Sequence, residues 1–209
     1  MEVQYMRYLT SDTHFGHINI CGPDGFVEGR NHFLSVEDMN QTIISNWNNK
    51  IESNDIVIHA GDLAVNMKPA EIFEVLKQLN GNIIIIPGNH DSMSKTIKYI
   101  RAHNYDYNSI PKFSIVEVGM RIRYEKKIYN ITHYPLGLGD QRPNIRNFCG
   151  HIHENPAYGA NVLNIGIDSP EIEELNVAFG EPIPFEDAVR LVEAKWQKWL
   201  IENPSERLK

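Results

Sequence analysis

Three times before residue 104, the sequence places a short apolar run, then a knot of polar residues, then a stretch with helical spacing. That order constrains the fold more than any other feature, because strand, loop and helix repeated in this way build a parallel sheet with helices packed on it. Residues 5–10 run into Ser11-Asp12-Thr13-His14, residues 56–58 lead to Gly61-Asp62, and residues 83–86 end in Pro87-Gly88-Asn89-His90-Asp91. A Gly/Pro-rich loop at residues 20–31 separates the first knot from its helix. That helix opens on a capping pair, Ser35 with Asp38, and continues through Val36, Met39, Ile43, Trp47 and Ile51. The second helix carries Ile72, Leu76 and Leu79 and stops at Gly81, and the third runs from Ser92 to about His103. From Phe113 the pattern changes to short strands at 113–118, 121–124, 128–132, 147–149 and 162–167, antiparallel or mixed. Phe185, Ala188, Val189, Val192, Trp196, Trp199 and Leu200 then mark a final amphipathic helix.

In open α/β sheets, ligands bind beyond the carboxyl ends of the strands, so the polar knots are expected to converge. In chain order they are Asp12-x-His14, Gly61-Asp62, Gly88-Asn89-His90-Asp91, His133, and Gly150-His151-Ile152-His153. Imidazole, carboxylate and amide oxygen without thiolate suit Mn, Fe or Zn in an open site rather than a structural zinc. Two such ions about 3.5–4 Å apart can share a carboxylate, activate a water and clamp both oxygens of an in-line displacement at phosphorus. Asp62 is the natural bridging ligand.

Taken together, these blocks resemble the calcineurin-like metallophosphoesterases, and the resemblance covers residues 12–153 in order. It implies an α/β fold of four layers, α/β/β/α, with two mixed sheets flanked by helices. It also implies two divalent ions, manganese favoured and iron, zinc or nickel the alternatives. Asp12, His14, Asp62 and His153 would hold one ion, and Asp62, Asn89, His133 and His151 the other. His90 would contact the phosphate or protonate the leaving group, with Asp91 orienting it. The implied reaction is phosphoester hydrolysis by a metal-bridging hydroxide, on a small phosphodiester or nucleotide. A phosphomonoesterase of the same fold and a non-catalytic metal-binding scaffold are the alternatives. Gly61-Asp62-Leu63-Ala64 lacks the Asp-Arg-Gly continuation and Gly88-Asn89-His90-Asp91 lacks the Glu ending of the protein Ser/Thr phosphatase branch, which is therefore disfavoured.

Composition narrows the partners. At 209 residues, 42% hydrophobic and 22% charged, the chain is expected to form one domain over residues 1–209. Two cysteines, Cys21 and Cys149, are too few for a disulfide scaffold, and no apolar run has membrane-spanning length, so a cytoplasmic protein is expected. A net charge of -7 argues against an extended nucleic-acid groove, while bound cations can reverse the sign locally. His17 and Arg142 are the substrate-binding candidates, the first for its position three residues after His14, the second as a phosphate partner. Asn164, Gly166 and Asp168 are read as support behind the ligands. His32, His59 and His103 are read as structural. The Trp196 and Trp199 face is read as core packing, with a homodimer contact as its alternative, and the 20–31 loop as a flexible determinant of specificity.

Overall fold

The three strand-loop-helix units form as their spacing predicts. The computed structural model describes residues 6–138 and 142–205, so the expected strand start at residue 5 and the Asp140-Gln141 pair ahead of Arg142 lie outside the described residues. Strands β1 (Arg7–Thr10), β2 (Ile56–His59) and β3 (Asn82–Ile85) run parallel, with Leu9 opposite Ile58 and Ile58 opposite Ile84. Their carboxyl ends are therefore level, and the three polar knots leave the sheet at one rim.

Helix α1 (Val36–Lys50), helix α2 (Pro69–Leu76) and helix α3 (Lys98–His103), which continues a π-helical turn at Met93–Ile97, cover one face of this sheet. Met39, Ile43, Trp47, Ile72, Leu76 and Ile100 pack there against Tyr8, Val57, Ile83 and Ile85. Ser35 caps α1 by accepting the Asp38 N–H at 3.1 Å, while the Asp38 carboxylate accepts the Leu34 N–H at 3.2 Å. Ser35→Ala should cost about 1 kcal/mol and lower Tm by about 2–4 °C. An unchanged thermal unfolding curve would show that the cap contributes nothing.

A two-stranded hairpin, β4 (Asp106–Tyr107) with β5 (Ile110–Pro111), follows α3, and β6 (Phe113–Ile115) then joins the first sheet parallel to β3. The second sheet is built from β7 (Gly119–Tyr124), β8 (Lys127–Thr132), β9 (Ile145–Cys149) and β10 (Val162–Asn164). It is mixed: β7 and β8 form an antiparallel pair, while β8, β9 and β10 are parallel neighbours. The last strand is shorter than the 162–167 span expected because the chain crosses between the sheets there. The Ile165 N–H still donates to Cys149 of β9 at 2.8 Å, and the Ile167 N–H donates to Ser11, just past β1, at 3.2 Å.

Strand β11 (Ile183–Pro184) returns antiparallel to β1 and closes the first sheet in the order β11-β1-β2-β3-β6. Helix α4 (Phe185–Glu202) supplies the remaining layer against the second sheet. Its Glu193 takes two hydrogen bonds from the buried Arg146 of β9, at 2.9 and 3.0 Å, and one from Lys127 of β8 at 3.0 Å. Trp196 lies under the same guanidinium at 4.6 Å, which places it in the core as expected. One continuous cluster joins Leu9, Ile58 and Ile86 of the first sheet region to Ile131, Phe148 and Leu163 of the second and to Phe185 and Val192 of α4. Helix, sheet, sheet and helix are thus the expected α/β/β/α sandwich. Among the described residues no helix is long and apolar enough to cross a membrane.

Candidate metal centre

At the shared rim the loops are stitched to one another before any side chain faces inward. The Asp12 and His14 N–H groups donate to the carbonyls of Gly61 and Asp62 at 2.9 and 3.0 Å, and the His151 N–H donates to the Asp12 carboxylate at 3.0 and 3.1 Å. Contact is so close that a Cβ at Gly88 would overlap the Asp62 carboxylate and one at Gly150 would overlap Ser11 Oγ and Asp12 Oδ2. Asp12, His14, Asp62, His151 and His153 all have positive φ, between 46° and 72°. Left-handed backbone costs a non-glycine residue of order 1 kcal/mol or more and gathers at functional sites. Five such residues in one cluster show that the rim is shaped for its side chains rather than for stability.

Those side chains converge. Ligand-type atoms of Asp12, His14 and His153 lie within 4.8 Å of one another, as do those of Asp62, His133 and His151, and those of His14, Asp62 and His90. Asp62 Oδ2 stands between the first two groups, 3.5 Å from His14 Nε2 and 3.4 Å from His133 Nε2. Asn89 Oδ1 is 2.9 Å from His133 Nε2. The His90 ring reaches over the group from the solvent side, 42% exposed, with Nε2 4.0 Å from Asp62 Oδ2.

The donor set fits a cation. His133 Nδ1 faces the Ala60 carbonyl at 2.9 Å and so carries the proton, which in the neutral ring leaves a lone pair at Nε2 opposite the Asn89 oxygen. His14 Nε2 is buried and, among the described residues, has no hydrogen-bond partner. Burial first, then the Arg30 charge, pushes the His14 imidazolium down to about 2, so the ring is neutral and its lone pair available. Burial pushes the Asp12 carboxyl up to about 6, against the lowering charges of His153 and His133. Burial would raise Asp62 too, but in the metal-free protein His133 can instead be protonated at both nitrogens, and its hydrogen bond and charge then hold Asp62 down to about 2. Two adjacent carboxylates, three or more imidazoles and an amide oxygen at ligand-to-ligand distances are what hard or borderline divalent ions require.

The description "Calcineurin-like phosphoesterase" belongs to the family model that matches residues 8–202. The chain belongs to this family. Among its relatives, an uncharacterized protein of Methanocaldococcus jannaschii is 41% identical over 102 residues, 48% of this chain and 54% of that protein. A glycerophosphodiester phosphodiesterase of Enterobacter lignolyticus is 31% identical over 99 residues, 44% of this chain and 31% of that protein. The chain therefore spans about half the length of one curated relative and about a third of the other. The crystal structure of a protein of unknown function from Aquifex aeolicus shares the fold, with a TM-score of 0.60 at 22% identity, covering 90% of this chain and all of that one.

The side chains behind the centre differ from the sequence reading at Asp91 and Arg142. Asp91 does not face the His90 ring. Its carboxylate accepts the N–H groups of Asp62, Leu63 and Gly88 at 2.8, 3.0 and 2.9 Å, so it holds the second loop to the third. His17 lies beside the cluster and packs against His14, the two Nδ1 atoms 3.1 Å apart and the rings stacked at 5.2 Å. Arg142 is exposed, and among the described residues it has no hydrogen bond or ion pair to the cluster. Asp168 does stand behind a candidate ligand, with Oδ2 2.9 Å from His153 Nδ1. His59 is structural, as read: Nδ1 accepts the Gly61 N–H at 3.1 Å, leaving Nε2 to bond Thr13 Oγ1 at 3.0 Å.

Sequence reasoning missed Arg30. It is fully buried, forks onto both Asp168 oxygens at 2.8 and 2.6 Å, and donates to the carbonyls of Asp12 at 2.6 Å and Thr13 at 3.1 Å. The 20–31 loop is accordingly anchored at its far end, with 3₁₀ turns at Ile18–Ile20 and Glu28–Arg30, rather than free to swing. Charge alone gave no signal, since an arginine in a Gly-rich loop reads as solvent-exposed.

Proposed function

We propose that this phosphoesterase is a dinuclear metal-dependent phosphodiesterase acting on a small phosphodiester, with the whole chain working as one domain. The observation that carries the reading is the place of Asp62 Oδ2, shared at 3.5 and 3.4 Å between His14 and His133. Asp12, His14, Asp62 and His153 would hold one ion and Asp62, Asn89, His133 and His151 the other, with manganese the favoured metal. When bound, the ions supply Lewis-acid polarisation of the phosphoryl oxygens and lower the pKa of a water at the site. The protein does the rest. Asp91 and Asp12 fix the loops through backbone N–H groups, Asp168 fixes the His153 ring, and His17 fixes that of His14. His90, unburied and nearest the solvent side, is placed to meet the phosphate or protonate the departing oxygen. A diester is favoured over a monoester by the glycerophosphodiester phosphodiesterase among the relatives.

Hydrolysis of bis(p-nitrophenyl) phosphate against p-nitrophenyl phosphate tests this, with protein stripped by chelator and then reloaded with Mn²⁺. Diester preference that returns only with metal is the expected result. Monoester preference would overturn the substrate class, and silence on both esters with metals bound would favour a binding scaffold. His90→Ala should retain both metals and lose about 10²- to 10⁴-fold in kcat. Loss of metal in that variant, read by elemental analysis, would remove His90 from the catalytic role.

A further inference from the structure

Two exposed aromatic rings stand at the two ends of the histidine cluster, and neither serves the core. Phe26, 61% exposed at the tip of the 20–31 loop, makes T-shaped contacts with His17 at 5.4 Å and His153 at 6.4 Å. Tyr134, 52% exposed, lies against His151 at 4.6 Å and His133 at 5.0 Å in the same kind of geometry. Because Asp62 sits between the His14 and His133 sides, the rings bracket the point where a phosphorus atom would lie.

Both rings are carried on pinned backbone. The Thr132 hydroxyl donates to the Tyr134 carbonyl at 2.7 Å and itself accepts from the Asn147 amide at 2.9 Å. The Phe26 N–H donates to Asn19 at 3.3 Å, and in its satisfied orientation the Asn31 amide donates to Gly22, Gly25 and Val27 at 2.9, 3.1 and 3.1 Å. Arg30 then locks that loop onto Asp168. A large apolar ring held rigid in water gains nothing for folding, whereas a preorganised ring beside a reaction centre offers a stacking surface at low entropic cost. The residues between the rings are polar, so the pair suits two separate flat groups rather than one continuous acyl chain.

We propose that Phe26 and Tyr134 are substrate-binding residues that each stack one planar arm of a phosphodiester, and that the natural substrate carries at least one nucleobase. The net charge of -7 favours a mononucleoside or dinucleoside diester over a polymer. This inference rests on the phosphodiesterase reading for its kinetic test but not for its binding test.

KM and kcat are measured for the dinucleotide adenylyl-(3′→5′)-adenosine and for sn-glycero-3-phosphoethanolamine, a diester without a ring, in wild type, Phe26→Ala, Tyr134→Ala and Phe26→Trp. Stacking on an aromatic side chain is lost on truncation with a 5- to 100-fold effect, on the order of the known range for bases. The alanine variants should therefore raise the dinucleotide KM about 5- to 100-fold relative to the ringless diester, with Trp restoring the preference at position 26. An unchanged ratio, or a fall in kcat on both substrates alike, overturns the proposal. Calorimetry on Mn²⁺-loaded protein with AMP and with inorganic phosphate separates the two claims. If no ester is hydrolysed yet AMP binds more tightly than phosphate and loses that margin in Phe26→Ala, the activity reading fails and the stacking site stands. Equal affinity for AMP and phosphate in wild type removes the stacking site.

Discussion

Asp62→Asn is expected to lower kcat/KM by more than about 10⁴-fold and to leave the protein short of metal. Asparagine keeps the size of the side chain and an oxygen to accept the His90 N–H, now 2.9 Å from Asp62 Oδ1, so the loop has no steric reason to move. What it removes is the negative charge that would be shared between the His14 and His133 sides. Both the polarisation of phosphoryl oxygens and the activation of water depend on ions held there, each worth several kcal/mol, and every 1.36 kcal/mol is tenfold in rate. Elemental analysis of the purified variant alongside steady-state kinetics checks this. Two ions per chain with activity within tenfold of wild type would remove Asp62 from the bridging position.

Arg30→Met should destabilise the fold by about 3–5 kcal/mol, because it leaves the Asp168 carboxylate buried without its cation. The loss is large against the 5–15 kcal/mol typical of whole domains, roughly a third of the total. Two carbonyls, of Asp12 and Thr13, lose their donors at the same time. Arg30→Lys should recover little, since a single ammonium cannot supply the fork to Asp168 and both carbonyl bonds. Urea denaturation reads the effect as a lower midpoint with unchanged slope. A change below about 1 kcal/mol would mean that the buried pair merely balances its own desolvation. Acid should produce the same weakening in wild type. Burial would raise the Asp168 carboxyl, but Arg30 and then His153 hold it below the ordinary value. Its contribution is therefore complete above the unfolded-state pKa of about 3.9 and is lost as pH falls through the depressed folded value.

The residues that sequence reading brought to the centre were legible because each sits at the end of a strand whose apolar spacing is local. Asp12, Asp62 and Asn89 follow β1, β2 and β3, and the parallel register of those strands makes the convergence a matter of geometry. Arg30 was not legible for the opposite reason. Its partner is 138 residues further along the chain, and no local pattern distinguishes a buried arginine from a solvated one. Asp91 was legible as a member of its motif but not in its action, because a carboxylate three residues past Gly88 can turn either to a side chain or to the backbone of the neighbouring loop. The open N–H groups of Asp62 and Leu63 decided that. The left-handed conformations at the centre were equally hidden, since only glycine advertises them in a sequence.

The bond from the His151 N–H to the Asp12 carboxylate spans 139 residues and joins the rims of the two sheets. During synthesis the first sheet region, with Asp12, His14, Asp62 and Asn89, leaves the ribosome well before His133, His151 and His153 exist. If these residues are the ligands proposed above, the nascent chain would hold half a coordination shell for much of its translation, and uptake of the full complement of ions would be a late event that reports the docking of the second sheet. Ions bound only by the finished shell would then draw the population toward that finished state, so on the proposed reading availability of metal in the growth medium should govern yield of folded protein.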